Sequence, residues 1–270
     1  MYAVFLRLPI TDGAMSSSGL KTQNFQNMTN DNKQRKHSDS TEPAIGYIPC
    51  YRLPFLSLFH ADCMEIMKQY PDKYFDIAIV DPPYGIDIAN KLSNHSTVKH
   101  TAKDWDKYTP TQEYWDELFR VSKNQIVWGG NYFMSKIQKD SACWIFWDKN
   151  NGDSTFADGE LAWTSFNSPV RLAKIHWCGS AAKHETGQNK IHPTQKPIKL
   201  YDWILRNYAK PNQKILDTHF GSGSIALAVD KANRLDKMNL HLTACEIDKE
   251  YIDKAIKRIS ESIKQGTLSF

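Results

Sequence analysis

The chain has 270 residues, 41% of them apolar, which is enough for one large α/β domain or a domain with a small insertion. A formal net charge of +4 permits a polyanionic partner without demanding one. The five cysteines (Cys50, Cys63, Cys143, Cys178 and Cys245) lack any Cys-x-x-Cys spacing, which argues against a zinc site or a disulfide frame. No apolar run approaches the roughly 18 residues of a membrane span, so the chain is expected to be cytoplasmic with no membrane partner.

Residues 1–45 are mostly rich in Ser, Thr, Asn, Gln and Lys, without periodicity, and read as a disordered leader. The remainder, 46–270, reads as a single domain. Pro49-Cys50 precedes the first strand of the sheet and carries no partner motif for nucleophilic chemistry. Leu56 to His60 is predicted as a strand, followed by Asp62 and a helix over Met64 to Gln69. Asp62 is either the cap of that helix or a ligand-facing carboxylate at a strand end.

Phe75 to Gly85 is the most informative stretch. Ile77 to Val80 is a continuous apolar run, as in a buried parallel strand, and Asp81-Pro82-Pro83-Tyr84 stands just past its carboxyl end. In open α/β sheets ligands collect at that edge. The prolines fix the backbone and remove two donors, leaving carbonyls, a carboxylate and a phenol ring to meet a flat group bearing an amine. Ile86 to Asp106 is polar and long, which marks a functional or disordered loop. Thr109-Pro110-Thr111-Gln112 predicts a capping box with proline at the first helical position. Further strands are predicted at Gln125 to Trp128 and Cys143 to Trp147, and a hairpin over Glu160 to Phe166 and Val170 to Trp177 around Asn167-Ser168-Pro169.

Ser168 to Lys199 carries Arg171, Lys174, Lys183, Lys190, Lys196 and Lys199 against Glu185 alone, a local surplus greater than that of the whole chain. It is either a solvated basic loop or a phosphate-contacting segment, with Arg171, Lys174 and Lys183 as the candidate phosphate contacts. Lys214 to Asp217 reads as a short buried strand. Thr218 to Ser224 then holds Phe220, Gly221, Ser222, Gly223 and Ser224, and a helix follows from Ile225. Glycines here let the backbone approach a ligand at a helix N-terminus. The next strand, Leu240 to Cys245, ends in Glu246, the acid expected to take a ribose hydroxyl pair. Spacing alone fits a dinucleotide equally well.

Three segments in this order resemble the beta-group DNA amino-methyltransferases. Asp81-Pro82-Pro83-Tyr84 is similar to their catalytic motif, His192-Pro193-Thr194-Gln195-Lys196-Pro197 to the segment before their glycine loop, and Asp217 to Ser224 to the loop itself. Methyltransferases that use Asn-Pro-Pro-Tyr on protein glutamine or ribosomal guanine place the glycine loop first; here it comes last. The resemblance implies a Rossmann-like α/β fold with a mostly parallel sheet, a terminal antiparallel hairpin and a circularly permuted order: catalytic half 55–167, recognition segment 168–191, cofactor half 192–262.

The resemblance further implies S-adenosylmethionine held by Asp62, Asp81, His192, Thr194, Lys196, Asp217, Phe220, Gly221, Ser222, Gly223, Ser224 and Glu246. Asp81, Pro82, Pro83 and Tyr84 would act on a flipped-out base of double-stranded DNA, with no metal. Aspartate before Pro-Pro-Tyr favours adenine N6 over cytosine N4. Two rivals are a silent nucleic-acid-binding protein of this fold and a nicotinamide-dependent oxidoreductase. Thr218-His219 departs from the family pattern, and the short recognition segment implies a short site per subunit, to which a second subunit in a homodimer would add contacts.

Overall fold

A computed structural model describes residues 46–86, 106–152, 157–177, 185 and 190–267. The leader, residues 87–105 of the polar loop, Cys178 and Lys183 lie outside them. The described residues belong to one unit, Glu42–Phe270.

Nine strands make one sheet: β1 (Tyr51–Leu53), β2 (Leu56–His60), β3 (Phe75–Val80), β4 (Ser122–Trp128), β5 (Trp144–Asp148), β6 (Gly159–Thr164), β7 (Arg171–Lys174), β8 (Lys214–Asp217) and β9 (His241–Glu246). Their order is β1-β2-β9-β8-β3-β4-β6-β5-β7. The run from β2 to β4 is parallel throughout, and β1 and β6 enter antiparallel.

The helices are α1 (Cys63–Met67), α2 (Gln112–Val121), α3 (Met134–Ile137), α4 (Ile198–Tyr208), α5 (Ser224–Leu235) and α6 (Lys249–Thr267). Strand alternation divides the core between the two faces. Ile77 and Ile79 of β3 and Ile126 of β4 join Ile204, Ile225 and Ile259 from α4, α5 and α6. Ala78, Val80 and Val127 join Ile66, Trp115, Leu118 and Ile137 from α1, α2 and α3. A sheet covered on both faces buries both sets of side chains, which is why Ile77 to Val80 of β3 is an unbroken apolar run.

Two expectations need correction. β6 and β7 do not form a hairpin, because β5 lies between them, antiparallel to β6 and parallel to β7. The hairpin is β5–β6, and Asn167-Ser168-Pro169 carries the chain across β5. Helix α2 begins later than the capping box implies: Thr111 is its N-cap without a side-chain cap bond, and Pro110 precedes the cap. No helix among the described residues is long and apolar enough to cross a membrane. The four described cysteines are free thiols.

The position of the site follows from strand order. From β3 the chain passes through α2 to β4 on one side, and from β8 it passes through α5 to β9 on the other. β3 and β8 are neighbours, so the carboxyl ends of these two strands flank a topological switch point, where an open α/β sheet leaves a crevice.

Candidate active site

That crevice is a cavity of about 410 Å³, within the usual range for a small-molecule site. Asp81 and Pro83 line it from the end of β3, and His219, Phe220, Gly221 and Ser222 from the end of β8. Glu246 lines it from the end of β9, His192, Thr194, Gln195 and Lys196 from the segment before α4, and Tyr201 from α4.

At the β9 end, Glu246 is braced by the main chain. Its Oε2 accepts from the Gly221 N–H and its Oε1 from the Asp248 N–H, both at 2.9 Å. Each oxygen keeps a further lone pair for a ligand hydroxyl. Burial raises its carboxyl above the ordinary value, and the main-chain donors work against that. The loop around it is tied to the segment before α4: the Ser224 hydroxyl donates to the Lys196 carbonyl at 2.8 Å. Arg258, buried in α6, donates from Nη1 to the Ser222 carbonyl at 2.8 Å and to Ser224 Oγ at 3.0 Å.

At the β3 end, Asp81 is clamped by two donors. Lys196 Nζ lies 2.5 Å from Oδ2, and the Tyr84 hydroxyl donates to Oδ1 at 2.8 Å. Lys196 also reaches Glu160 of β6 at 3.2 Å, and Glu160 meets Lys149 at 2.8 Å. Burial raises the Asp81 carboxyl, with the Lys196 ammonium working against it and Glu160 with it. For Glu160 burial is outweighed by Lys196 and Lys149, which hold its carboxyl down at about 2. Burial likewise opposes the charge on Lys196, but Asp81 and Glu160 raise it above its ordinary value. Two ammonium groups thus face two carboxylates in a half-buried, balanced cluster with Lys196 at its buried centre.

The Tyr84 main chain is fixed by a buried carboxylate: Asp106 Oδ1 accepts from the Tyr84 N–H at 2.8 Å and the Gly85 N–H at 3.1 Å. The Tyr84 ring stacks on Tyr132, with centroids 5.0 Å apart and planes 16° from parallel. It also rests against Gly129, where a Cβ would stand 2.3 Å from Tyr84 Cε1 and φ is +66°. Only glycine satisfies both demands.

The sequence comparisons point the same way as this geometry. A family described as DNA methylase matches residues 171–257. The chain is similar to the type II methyltransferase M.HinfI of Haemophilus influenzae, 27% identical over 252 residues, with 76% of this chain and 68% of that protein covered. Both matches are to DNA methyltransferases, and the matched family model is of the adenine-N6/cytosine-N4 type. Its fold is also similar to that of the solved cytosine-N4-specific PvuII DNA methyltransferase, with a TM-score of 0.51 at 15% identity, covering 79% of this chain and 89% of that one.

The expected site residues do not all converge. Asp81, Pro83, His192, Thr194, Lys196, Phe220, Gly221, Ser222 and Glu246 line the cavity, whereas Asp62, Pro82, Tyr84, Asp217, Gly223 and Ser224 do not. Asp62 caps α1, accepting from the Met64 N–H at 2.8 Å. Gly223 is the left-handed N-cap of α5. Asp217 is buried behind the loop and accepts from the His219 N–H at 3.0 Å. Arg171 and Lys174 are both exposed on β7, but strand alternation turns them to opposite faces.

His219 lines the cavity, with its Nδ1 2.9 Å from Thr218 Oγ1, itself 2.7 Å from the Tyr114 hydroxyl. Burial pushes its pKa down to about 4, so the ring is neutral at pH 7. Sequence reasoning missed Lys149, Glu160, Asp106, Tyr132 and Arg258, none of which stands in a local motif; the Gly129-Gly130 pair was legible only as a turn.

Burial raises the Asp217 carboxyl to about 8. The unfolded chain releases this proton near 3.8 while the folded protein retains it, so stability from this group falls as pH rises from 3.8 to about 8. Asp217→Asn keeps an acceptor for the His219 N–H and is expected to flatten that decline. Urea midpoints across the window check this.

Proposed function

We propose that this protein transfers a methyl group from S-adenosylmethionine to N6 of an adenine flipped out of double-stranded DNA. The observation that carries the reading is that Asp81 opens on the same cavity as the Gly221–Ser222 loop and Glu246. A methyl acceptor and a methyl donor must meet in one space, and proximity of that kind supplies much of the rate.

The residues fit the cofactor. Glu246 has acceptor capacity for a ribose diol, Gly221 and Ser222 bring main chain to the cavity wall, and His192 and Thr194 add polar groups opposite. Bound there, S-adenosylmethionine supplies an electrophilic methyl group on a positively charged sulfur. Asp81 accepts from the target amine and draws its proton away as the nitrogen attacks. Unstacking the base costs a few kcal/mol, recovered by hydrogen bonds and stacking in the pocket. Tyr132, exposed and stacked on Tyr84, offers an aromatic ring near Asp81. Aspartate before Pro-Pro-Tyr supports adenine by family resemblance.

The test is expression of the full chain in a host lacking adenine methylation, followed by sequencing of its DNA. N6-methyladenine in a short motif is expected. N4-methylcytosine would move the reading to the cytosine enzyme, and unmodified DNA would defeat it.

The basic residues of β7 give a separate expectation. β7 runs parallel to β5, and β5 runs in the same direction as β3, so Lys174 is at the Asp81 edge of the sheet and Arg171 at the opposite edge. Lys174→Ala is expected to reduce the salt slope of DNA binding by about one unit, the loss of one phosphate contact, whereas Arg171→Ala leaves it unchanged. Titrations of labelled duplex at several salt concentrations check both.

A further inference from the structure

Lys196 has three N–H donors and no acceptor. Its side chain is 4% exposed and its partners are Asp81 at 2.5 Å, Glu160 at 3.2 Å and the Tyr84 hydroxyl at 3.4 Å. The last is at the outer limit of a hydrogen bond, so this donor is the one most readily redirected. Glu160 already has Lys149 as a second cation, and it does not line the cavity. Asp81 and Lys196 do, side by side. The cavity therefore presents an acceptor and a donor in contact with each other.

We propose that Lys196 belongs to the base-reading site, where it and Asp81 together match the exocyclic amine and the adjacent ring nitrogen of the target base. This rests on the function proposed above and extends it to specificity. Adenine shows an N6–H donor beside the N1 acceptor, and cytosine an N4–H donor beside the N3 acceptor. The two atoms are one bond angle apart, so a touching acceptor–donor pair meets both in parallel. Guanine and thymine place a carbonyl beside an N–H. In that register their oxygen faces the Asp81 carboxylate and their N–H faces the ammonium, leaving buried groups unpaired on both sides. Asp81 alone would accept from any amine; the lysine adds the requirement for an unprotonated ring nitrogen next to it.

The arrangement also explains why a lysine rather than a neutral donor stands here. A buried carboxylate used to draw a proton from an amine must be ionised, and the adjoining ammonium favours that form. Glu160 in turn holds the ammonium from behind, on the side away from the cavity. Lys196 is thus both a base contact and a positioning residue for Asp81.

The test uses the full chain and duplexes carrying its methylated motif, with the target adenine replaced by 1-deazaadenine, which keeps the N6 amine and lacks N1. If the modified base is cytosine, 3-deazacytosine serves instead. Duplex affinity by fluorescence anisotropy and kcat/KM by methyl transfer are measured for each duplex, and cofactor affinity by calorimetry.

For the native chain the deaza base is expected to lower duplex affinity and kcat/KM by at least about tenfold, the size of one hydrogen bond to a charged group. In Lys196→Met this difference disappears, while Lys196→Arg, which keeps a charged donor, retains it. Equal handling of the two duplexes by the native chain overturns the proposal, whether or not either variant folds. So does a tenfold difference that survives in Lys196→Met, and a collapse of cofactor affinity accompanying it assigns the lysine to the cofactor. Absence of transfer to the parent duplex defeats the proposed function rather than this assignment.

Discussion

Asp81→Ala is expected to lower methyl transfer by at least about a hundredfold, the lower end of what a positioned proton acceptor contributes. Cofactor affinity in the same variant is expected to fall far less. Asp81 is bound by Lys196 and the Tyr84 hydroxyl, whereas Glu246 is braced by the Gly221 and Asp248 N–H groups. Removing the carboxylate leaves Lys196 paired with Glu160, so the buried ammonium is not orphaned. Asp81→Asn keeps one acceptor oxygen but no charge and should fall between alanine and the native chain. A labelled-methyl assay with calorimetry separates the two effects, and undiminished transfer in Asp81→Ala would remove this residue from the reaction.

The second large effect is expected at the cofactor end. Glu246→Ala deletes an acceptor whose orientation the main chain has already fixed, and it should weaken S-adenosylmethionine binding by about 1 to 3 kcal/mol. Gly223→Val acts differently. Gly223 has φ of +69°, and a Cβ there would stand 3.0 Å from Phe220 Cζ and 3.1 Å from Ile259 Cδ1. A β-branched residue in that conformation is strained, and relief comes by moving Phe220, which lines the cavity. Both variants should bind cofactor less tightly while still binding duplex. If calorimetry finds native affinity in both, the ligand of this cavity is something else.

Much of this architecture was readable before any coordinates, for reasons that differ from element to element. Strands β2 and β8 match their expected bounds, and β3 fills the apolar stretch that Asp81-Pro82 ends, since turn residues bound each of these short buried runs. The glycine loop and Glu246 were readable because strand, loop, helix, strand and acid follow in sequence. Strand partnership was less legible. The Asn167-Ser168-Pro169 turn suggested that β6 pairs with β7, yet a turn specifies only that the chain reverses, and β5 takes the place between. Asp62 shows the same limit: its local signal as a cap was sufficient, and the cavity lies elsewhere. Glu160 meets Tyr84 across 76 residues of sequence, and Asp106 holds the Tyr84 N–H across 22. No period or spacing encodes such pairings, because they exist only once the sheet has closed.

The tie between Ser224 and the Lys196 carbonyl has a bearing on how the enzyme comes into being. Lys196 is 112 residues beyond Tyr84, and its main chain is anchored by a serine at the start of α5 that is itself gripped by Arg258 from the last helix. During synthesis the ribosome delivers Asp81 and Tyr84 long before any of these partners. A chain released early, or one whose terminal helix has not docked, has the signature tetrapeptide but not the cation that sets its charge. Contacts of such long sequence separation are closed late and slowly. The Asp81–Lys196 pair is therefore expected to close late in folding, after the segments that carry Ser224 and Arg258 have packed.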